Sequence, residues 1–582
     1  MPSLAIARKR KEVAPTPKHT FSESMLLETI DHAEPIITRW DPDPSSRTHS
    51  VSLFGGDRKE AKEFLRCIEE LRRAMDFIVS TNSYTDKLVM AQKLLLVAMR
   101  RLEKEFYAVL SENGGRRVLG SVSDRSLSLS SRSIEEVRDG PEEEARGFVD
   151  DAMADLRKIA DCMTSSGYGR ECVKIYVLMR RSVVDEGLYQ LGIETFKPAV
   201  VQKLSRVALE HMIKNWLKAV SAATETLFAG ERILCDHVFS VSITARESIF
   251  SNVCKEGALN LLRFPEMVAK TKPAAEKVYR MMDMYDVTLK LWPEIEVIFS
   301  YEETSVVRFQ ALSSLVKLGD SIQRILAEFE AAIQKDTSRN NNASIRVHPL
   351  TCKVMKFLNS LTAYGAILAK ILSDHPLSGK LSFPESYFET HSPEDASESA
   401  LALHLARFVL VLLCKLDSKT EVYKDASMSY LFLASNLNYV VETVKATNLG
   451  TFLGQGWVSK HEEKVELYMS SYESIAWKKA ISTLPESRCA AASMESVKDC
   501  FMKFNAAFVE AYRKQASVTL LDEGIRDKVK ASLAKKLVAS YQHFYETYLV
   551  MLRTERNLHL VVKFSPNDKE NYISELFCGT AA

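Results

Sequence analysis

Residues 63–78, EFLRCIEELRRAMDFI, decide how this chain folds. Phe64, Ile68, Leu71, Met75 and Ile78 recur at intervals of three and four, which gathers them on one face of a helix and leaves the charged residues on the other. Ala91, Leu95, Ala98, Leu102, Phe106 and Val109 repeat the pattern, so the two segments are expected to form a helical hairpin. The same period returns in VQKLSRVALEHMIKNWLKAV (201–220), VRFQALSSLVKLGDSIQRILAEFEAAI (307–333), CKVMKFLNSLTAYGAILAKIL (352–372) and SYLFLASNLNYVVETV (429–444), while two-residue alternation is almost absent. The expected fold class is all-α.

Polar stretches rich in Ser, Gly, Pro or Asn separate the helices at 111–147, 334–348 and 375–400 and are expected to be mobile loops. No fixed-period repeat is visible, which leaves consecutive antiparallel helical bundles rather than a consensus solenoid. The division expected is a flexible tail with a short or truncated helix over 1–50, bundles over 51–235, 236–375 and 376–490, and a basic C-terminal bundle over 491–582. ALALHLARFVLVLLCKL (400–416) is too short to span a bilayer and carries His404, Arg407 and Lys415, so it reads as a buried helix.

Composition narrows the function. The chain has 582 residues, 46% of them hydrophobic, and 77 basic against 76 acidic side chains, a balance that argues against a dedicated nucleic-acid binder. Charge is nonetheless segregated: residues 134–155 hold nine acids against two arginines, whereas 513–569 hold eleven Lys or Arg against six acids. The ten cysteines form no CxxC pair, which points to a reducing compartment and neither a zinc ribbon nor a disulfide framework.

Catalytic and metal motifs are not found. HEEKV (461–465) starts like a zincin helix, but Val465 stands where the second histidine must complete the metal pair, so a solvated helix surface is expected there. The glycine pairs in SLFGGDRKE and SENGGRRV lack the Lys and hydroxyl pair of a phosphate loop, and no GxSxG elbow occurs. His211 and His404, on apolar helices, are expected to be core or boundary residues. A non-enzymatic protein without cofactor or metal is the expectation.

Longer blocks then carry a resemblance. GYGRECVKIYVLMRRSVVDEGLYQLGIE (167–194), FAGERILCDHVF (228–239), DMYDVTLKLWPEIEVIF (283–299), VHPLTCKVMKFLNSL (347–361), the run from Ser429 to Ile481, and FNAAFVEAYRKQ (504–515) closely resemble, in order, the plant seventy-kilodalton subunit of the exocyst. IITRWDPD (36–43) resembles that family's N-terminal region. The resemblance implies an elongated rod of helical bundles that helps tether secretory vesicles to the plasma membrane. Other exocyst subunits, a Rho-type GTPase and anionic phosphoinositide membrane are the implied partners, and a cytoplasmic protein recruited peripherally is the implied location. Compared with the family, the N-terminal assembly helix reads as short. The runner-up is a diverged member that docks plant immune proteins, autophagy proteins or pathogen effectors.

The family contacts phosphoinositide headgroups through two lysines three residues apart before its last helix. The second falls on Lys563, while the first falls on Leu560. Lys528 and Lys535 share the exposed side of a helix whose buried stripe is expected to be Ile525, Val529, Leu533, Leu537 and Tyr541, and Lys536, Arg553 and Arg556 supplement them. Downstream, Ser565 is the expected N-cap and Pro566 the first residue of a final helix docked by Ile573, Leu576 and Phe577, with Asp568 in its first turn and Lys569 facing an anionic surface.

Overall fold

The computed structural model describes residues 21–42, 52–55, 58–80, 86–114, 141–338, 344–374, 396–484, 493–553 and 558–578. These residues are helical throughout except for connecting turns and one two-residue parallel pairing, so the all-α class holds. Contacts divide the chain into two compact units: residues 1–272 with 283–318, and residues 273–282 with 319–582.

In the first unit the stripe from Phe64 to Ile78 faces the core. Arg58–Ser80 buries Phe64, Ile68, Leu71 and Ile78, and Asp86–Gly114 packs against it through Ala91, Ala98, Leu102, Phe106 and Val109. The expected loop at 111–147 is helical at both ends, within Asp86–Gly114 and Pro141–Ser165, and its residues 115–140 lie outside the described residues. Two arginines are sunk into this unit, each with a carboxylate. Arg101 pairs with Glu105, which also accepts from the Leu53 amide at 3.0 Å and the Ser52 hydroxyl at 2.8 Å. Arg180 donates through Nε at 3.0 Å and through Nη2 to the two oxygens of Glu231. The Ile243–Ala269 helix contains Pro265, which has no N–H to give the Leu261 carbonyl one turn back. The buried indole of Trp216 supplies it, donating at 2.8 Å, so a helix defect is closed by a neighbouring helix.

In the second unit, Ala396–Lys419 buries Leu401, Leu405, Val409, Leu412 and Leu416, as the apolar run at 400–416 requires, with Arg407 turned to Glu330 at 2.9 Å. His404 lies at the boundary, but His211 of the first unit is exposed beside Asn215, against expectation, because it lies about 200° around the helix from the buried Ile213 and about 140° from Trp216. The solvated reading of HEEKV is also wrong at its first and last residues, since His461 and Val465 are both buried. His461 is buried, stacked on Trp457 at 3.7 Å, with Nδ1 2.7 Å from the Trp457 carbonyl, and burial holds its imidazole below the ordinary range. The expected loop at 334–348 contributes structure as well: Ser344–Ile345 pairs in parallel with Thr519–Leu520, and His348 caps Pro349–Thr362. Residues 375–395 lie outside the described residues.

Candidate functional site

The basic C-terminal region is built from four pieces: Met494–Ala516, the long helical run from Glu523 to Leu552, the single turn Leu558–Val562, and the final helix Pro566–Ser574. All five residues of the expected stripe on the long run are buried. Residues four apart on a straight α-helix drift about 40° per step, so such a stripe would wander off the core. A π-turn at Ala534–Val538 takes up the drift and keeps Leu537 and Tyr541 pointing inward.

The final helix starts as its sequence demands. Ser565 accepts from the Asp568 amide at 3.2 Å, Asp568 accepts from the Ser565 amide at 2.7 Å, and the reciprocal bonds hold the Asp568 carboxyl below its usual range. Ile573, Leu576 and Phe577 are buried, and Lys530 donates to the Ser574 carbonyl at 2.6 Å, covering an orphan acceptor at the far end.

The backbone before that cap is bent sharply. Lys563 has φ 45°, in the left-handed region, and Phe564 N donates to the Val562 carbonyl at 2.5 Å across it, closing a three-residue turn. Side chains beneath pin the turn: the Tyr541 hydroxyl donates to the Phe564 carbonyl at 2.7 Å, and Asn505 Nδ2 donates to the carbonyls of Val562 at 3.2 Å and Val561 at 3.3 Å. Lys563 is thereby held outward, exposed, next to Leu560, itself 65% exposed.

The other expected contact residues divide. Lys528, Lys535 and Arg553 are exposed. Lys536 is exposed but paired with the buried Glu473, so part of its charge is already used. Arg556 lies outside the described residues. Lys569 does not face solvent at all. It is 1% exposed, and its Nζ lies 3.8 Å from the ring centre of Phe508, 4.2 Å from Phe564, 5.1 Å from Phe504 and 5.6 Å from Tyr541. No hydrogen-bond acceptor meets it among the described residues. Burial pushes its pKa down to about 7, with the Lys563 charge adding and Asp568 opposing. The reason was in the spacing: Lys569 is one helical turn before Ile573, so a helix docked through Ile573 must turn Lys569 inward too.

Two cations were missed. Arg513 and Lys514 share with Lys563 a groove of about 540 Å³ between Met494–Ala516 and the Leu558–Val562 turn. Met502, Ala506, Val509 and Arg513, spaced four, three and four, form its helical wall, a stripe legible in FMKFNAAFVEAYRKQ (501–515) once the opposite face is given to the core. Among the described residues, no cluster of His, Cys, Asp or Glu could hold a metal ion, and no helix is long and apolar enough to cross a membrane.

Comparison with known proteins places this architecture. The family model for the C-terminal region of the Exo70 subunit of the exocyst complex matches residues 214–575, and that for the N-terminal region of exocyst complex component Exo70 matches residues 29–112. Exocyst complex component EXO70A1 of Arabidopsis thaliana is 26% identical over 600 residues, covering 97% of this chain and 91% of the relative, and EXO70B1 of the same plant is 27% identical, covering 95% and 85%. A solved structure of Exo70 from S. cerevisiae superposes with a TM-score of 0.60 at 14% identity, over 95% of this chain and 98% of that one, which shows a shared fold. With both halves of the family matched in order and the fold shared along nearly its whole length, the chain belongs to the Exo70 family of exocyst subunits.

Proposed function

We propose that this chain works as a non-enzymatic member of the exocyst that helps tether secretory vesicles to the plasma membrane, engaging anionic phosphoinositide through the exposed cations of its C-terminal region. The observation that carries this reading is Lys563, held outward on a left-handed turn that three side-chain hydrogen bonds lock in place. A residue kept in a strained conformation by surrounding structure is a recurrent sign of a working position. Lys528, Lys535 and Arg553 add exposed charge, Lys536 adds part of its own, and Lys569 takes no direct part. At about 1 kcal/mol per basic residue near an anionic leaflet, such a set supports attachment that weakens as salt screens it. The proposed partners also include a Rho-type GTPase and the other exocyst subunits, and the protein is cytoplasmic until recruited.

Sedimentation with liposomes tests the membrane contact. Binding should rise with phosphoinositide, fall with salt, weaken for Lys563→Glu and strengthen for Leu560→Lys, which restores the second lysine of the pair. Equal binding by all three proteins, or binding unaffected by salt, would show that membrane contact lies elsewhere.

Leu560, apolar and exposed where the family carries a lysine, favours a second reading: a diverged member that docks immune or autophagy proteins or pathogen effectors. Purification from plant tissue separates the two, since recovery of the other exocyst subunits supports tethering and their absence supports the adaptor.

A further inference from the structure

The groove beside Lys563 has features a bilayer cannot use. It is concave, about 540 Å³, within the size range of sites that enclose a ligand. Its walls expose two large apolar side chains, Leu560 at 65% and Met502 at 50%, and Val509, one helical turn before Arg513, lines it as well. Its rim is cationic. Among the described residues Glu510 is the one acid lining it, and that carboxylate is already engaged by Lys514 at 3.0 Å and Lys479 at 3.3 Å, which hold it below the ordinary carboxylate range. Arg513 and Lys563 have no acidic partner among the described residues.

We infer that this groove is a docking site for a partner protein's peptide segment in which a large apolar side chain stands next to one or more carboxylates. The apolar side chain enters between Met502, Val509 and Leu560, where it removes their surface from water, and the carboxylates reach Arg513 and Lys563 on the rim. A flat anionic leaflet fits less well, because it cannot fill a concavity and would bring Glu510 against like charge. This occupant is independent of the membrane contact proposed above, although the two share Lys563 and would compete for it.

The test starts from random short peptides displayed on phage and selected on the full chain. The selected peptides should pair Asp or Glu with Leu, Phe or Trp. A synthetic copy, followed by fluorescence anisotropy, should lose roughly tenfold in affinity for Arg513→Glu and for Leu560→Asp, both exposed positions whose variants should melt like the parent. Vesicles of phosphatidylcholine with and without phosphatidylinositol bisphosphate form the second arm, and the peptide should compete with them at Lys563. Selected peptides that lack acids, or that bind both variants as they bind the parent, would overturn the proposal. So would an empty selection while Leu560→Asp still weakens vesicle binding, because the bilayer would then be the occupant. A parent chain that binds the peptide but neither kind of vesicle would instead sink the membrane reading and leave this one standing.

Discussion

Arg180 in the first unit and Lys569 in the second are both cations sealed from solvent, and they are accommodated in opposite ways. Arg180 has a carboxylate. Burial by itself pulls its guanidinium down, but the two-point contact with Glu231 more than offsets this, and its pKa stands above the ordinary value. Lys569 has four aromatic rings and, among the described residues, no acceptor. Ring faces attract a cation but do not replace a hydration shell, so burial prevails and the amine is driven to about 7. A planar, delocalised cation with a matched anion is a permanent brace. A compact ammonium in an aromatic cage titrates near neutrality.

The largest effect should come from breaking the braced site. Glu231→Ala leaves Arg180 charged, buried and unpaired and is expected to cost about 3–5 kcal/mol in denaturant unfolding. A loss below about 1 kcal/mol would mean that water reaches the arginine. Breaking the caged site should do the reverse. Lys569→Met keeps the volume and removes the misfit charge, so it should stabilise the chain by on the order of 3 kcal/mol near pH 7. The sign follows from proton binding: the unfolded lysine holds its proton up to about pH 10.4 and the folded one only to about 7, so folding expels a proton in between and parental stability climbs with pH. The advantage of Lys569→Met should therefore shrink steadily from pH 7 toward pH 10, and an advantage independent of pH would show that the amine keeps its ordinary pKa because water reaches it.

Smaller changes sharpen the contrast. Ser565→Ala removes the cap that seats the final helix over the cage and should cost about 1 kcal/mol, while the Lys569 amine, better hydrated as that helix loosens, moves upward in pKa by NMR titration. Lys563→Glu should change stability least, within about 0.5 kcal/mol, because the side chain is exposed. It also exchanges a like charge near Lys569 for an opposite one, so the caged amine should titrate higher even as phosphoinositide liposomes are bound less. A Lys569 pKa that stays put would show that the two lysines are electrostatically independent.

The helices, their faces and the capped final helix were legible because each follows from spacing within one segment: Phe64 to Ile78, Leu401 to Leu416, Ser565 to Asp568. Partly legible features are more instructive. The stripe from Ile525 to Tyr541 could be read, but not the π-turn that keeps it inward. The inward face of Lys569 follows from its spacing to Ile573, although a lysine's charge by itself points outward. Met502, Val509 and Arg513 form a stripe that gains meaning only when Leu560 and Lys563, nearly fifty residues later in sequence, close the other side of the groove.

By itself the sequence determined the all-α class, the family, and where Lys563 stands relative to the last helix, because periodicity, capping and ordered motif blocks are local properties. Tertiary structure alone decided what each inward-turned or stranded group meets. Trp216 answers a carbonyl stranded by Pro265, Glu473 occupies Lys536, and Phe504, Phe508, Tyr541 and Phe564 enclose Lys569, and each partner comes from a different segment. Charge can be counted along a chain, but its effect depends on solvation, and solvation is set by whatever packs alongside.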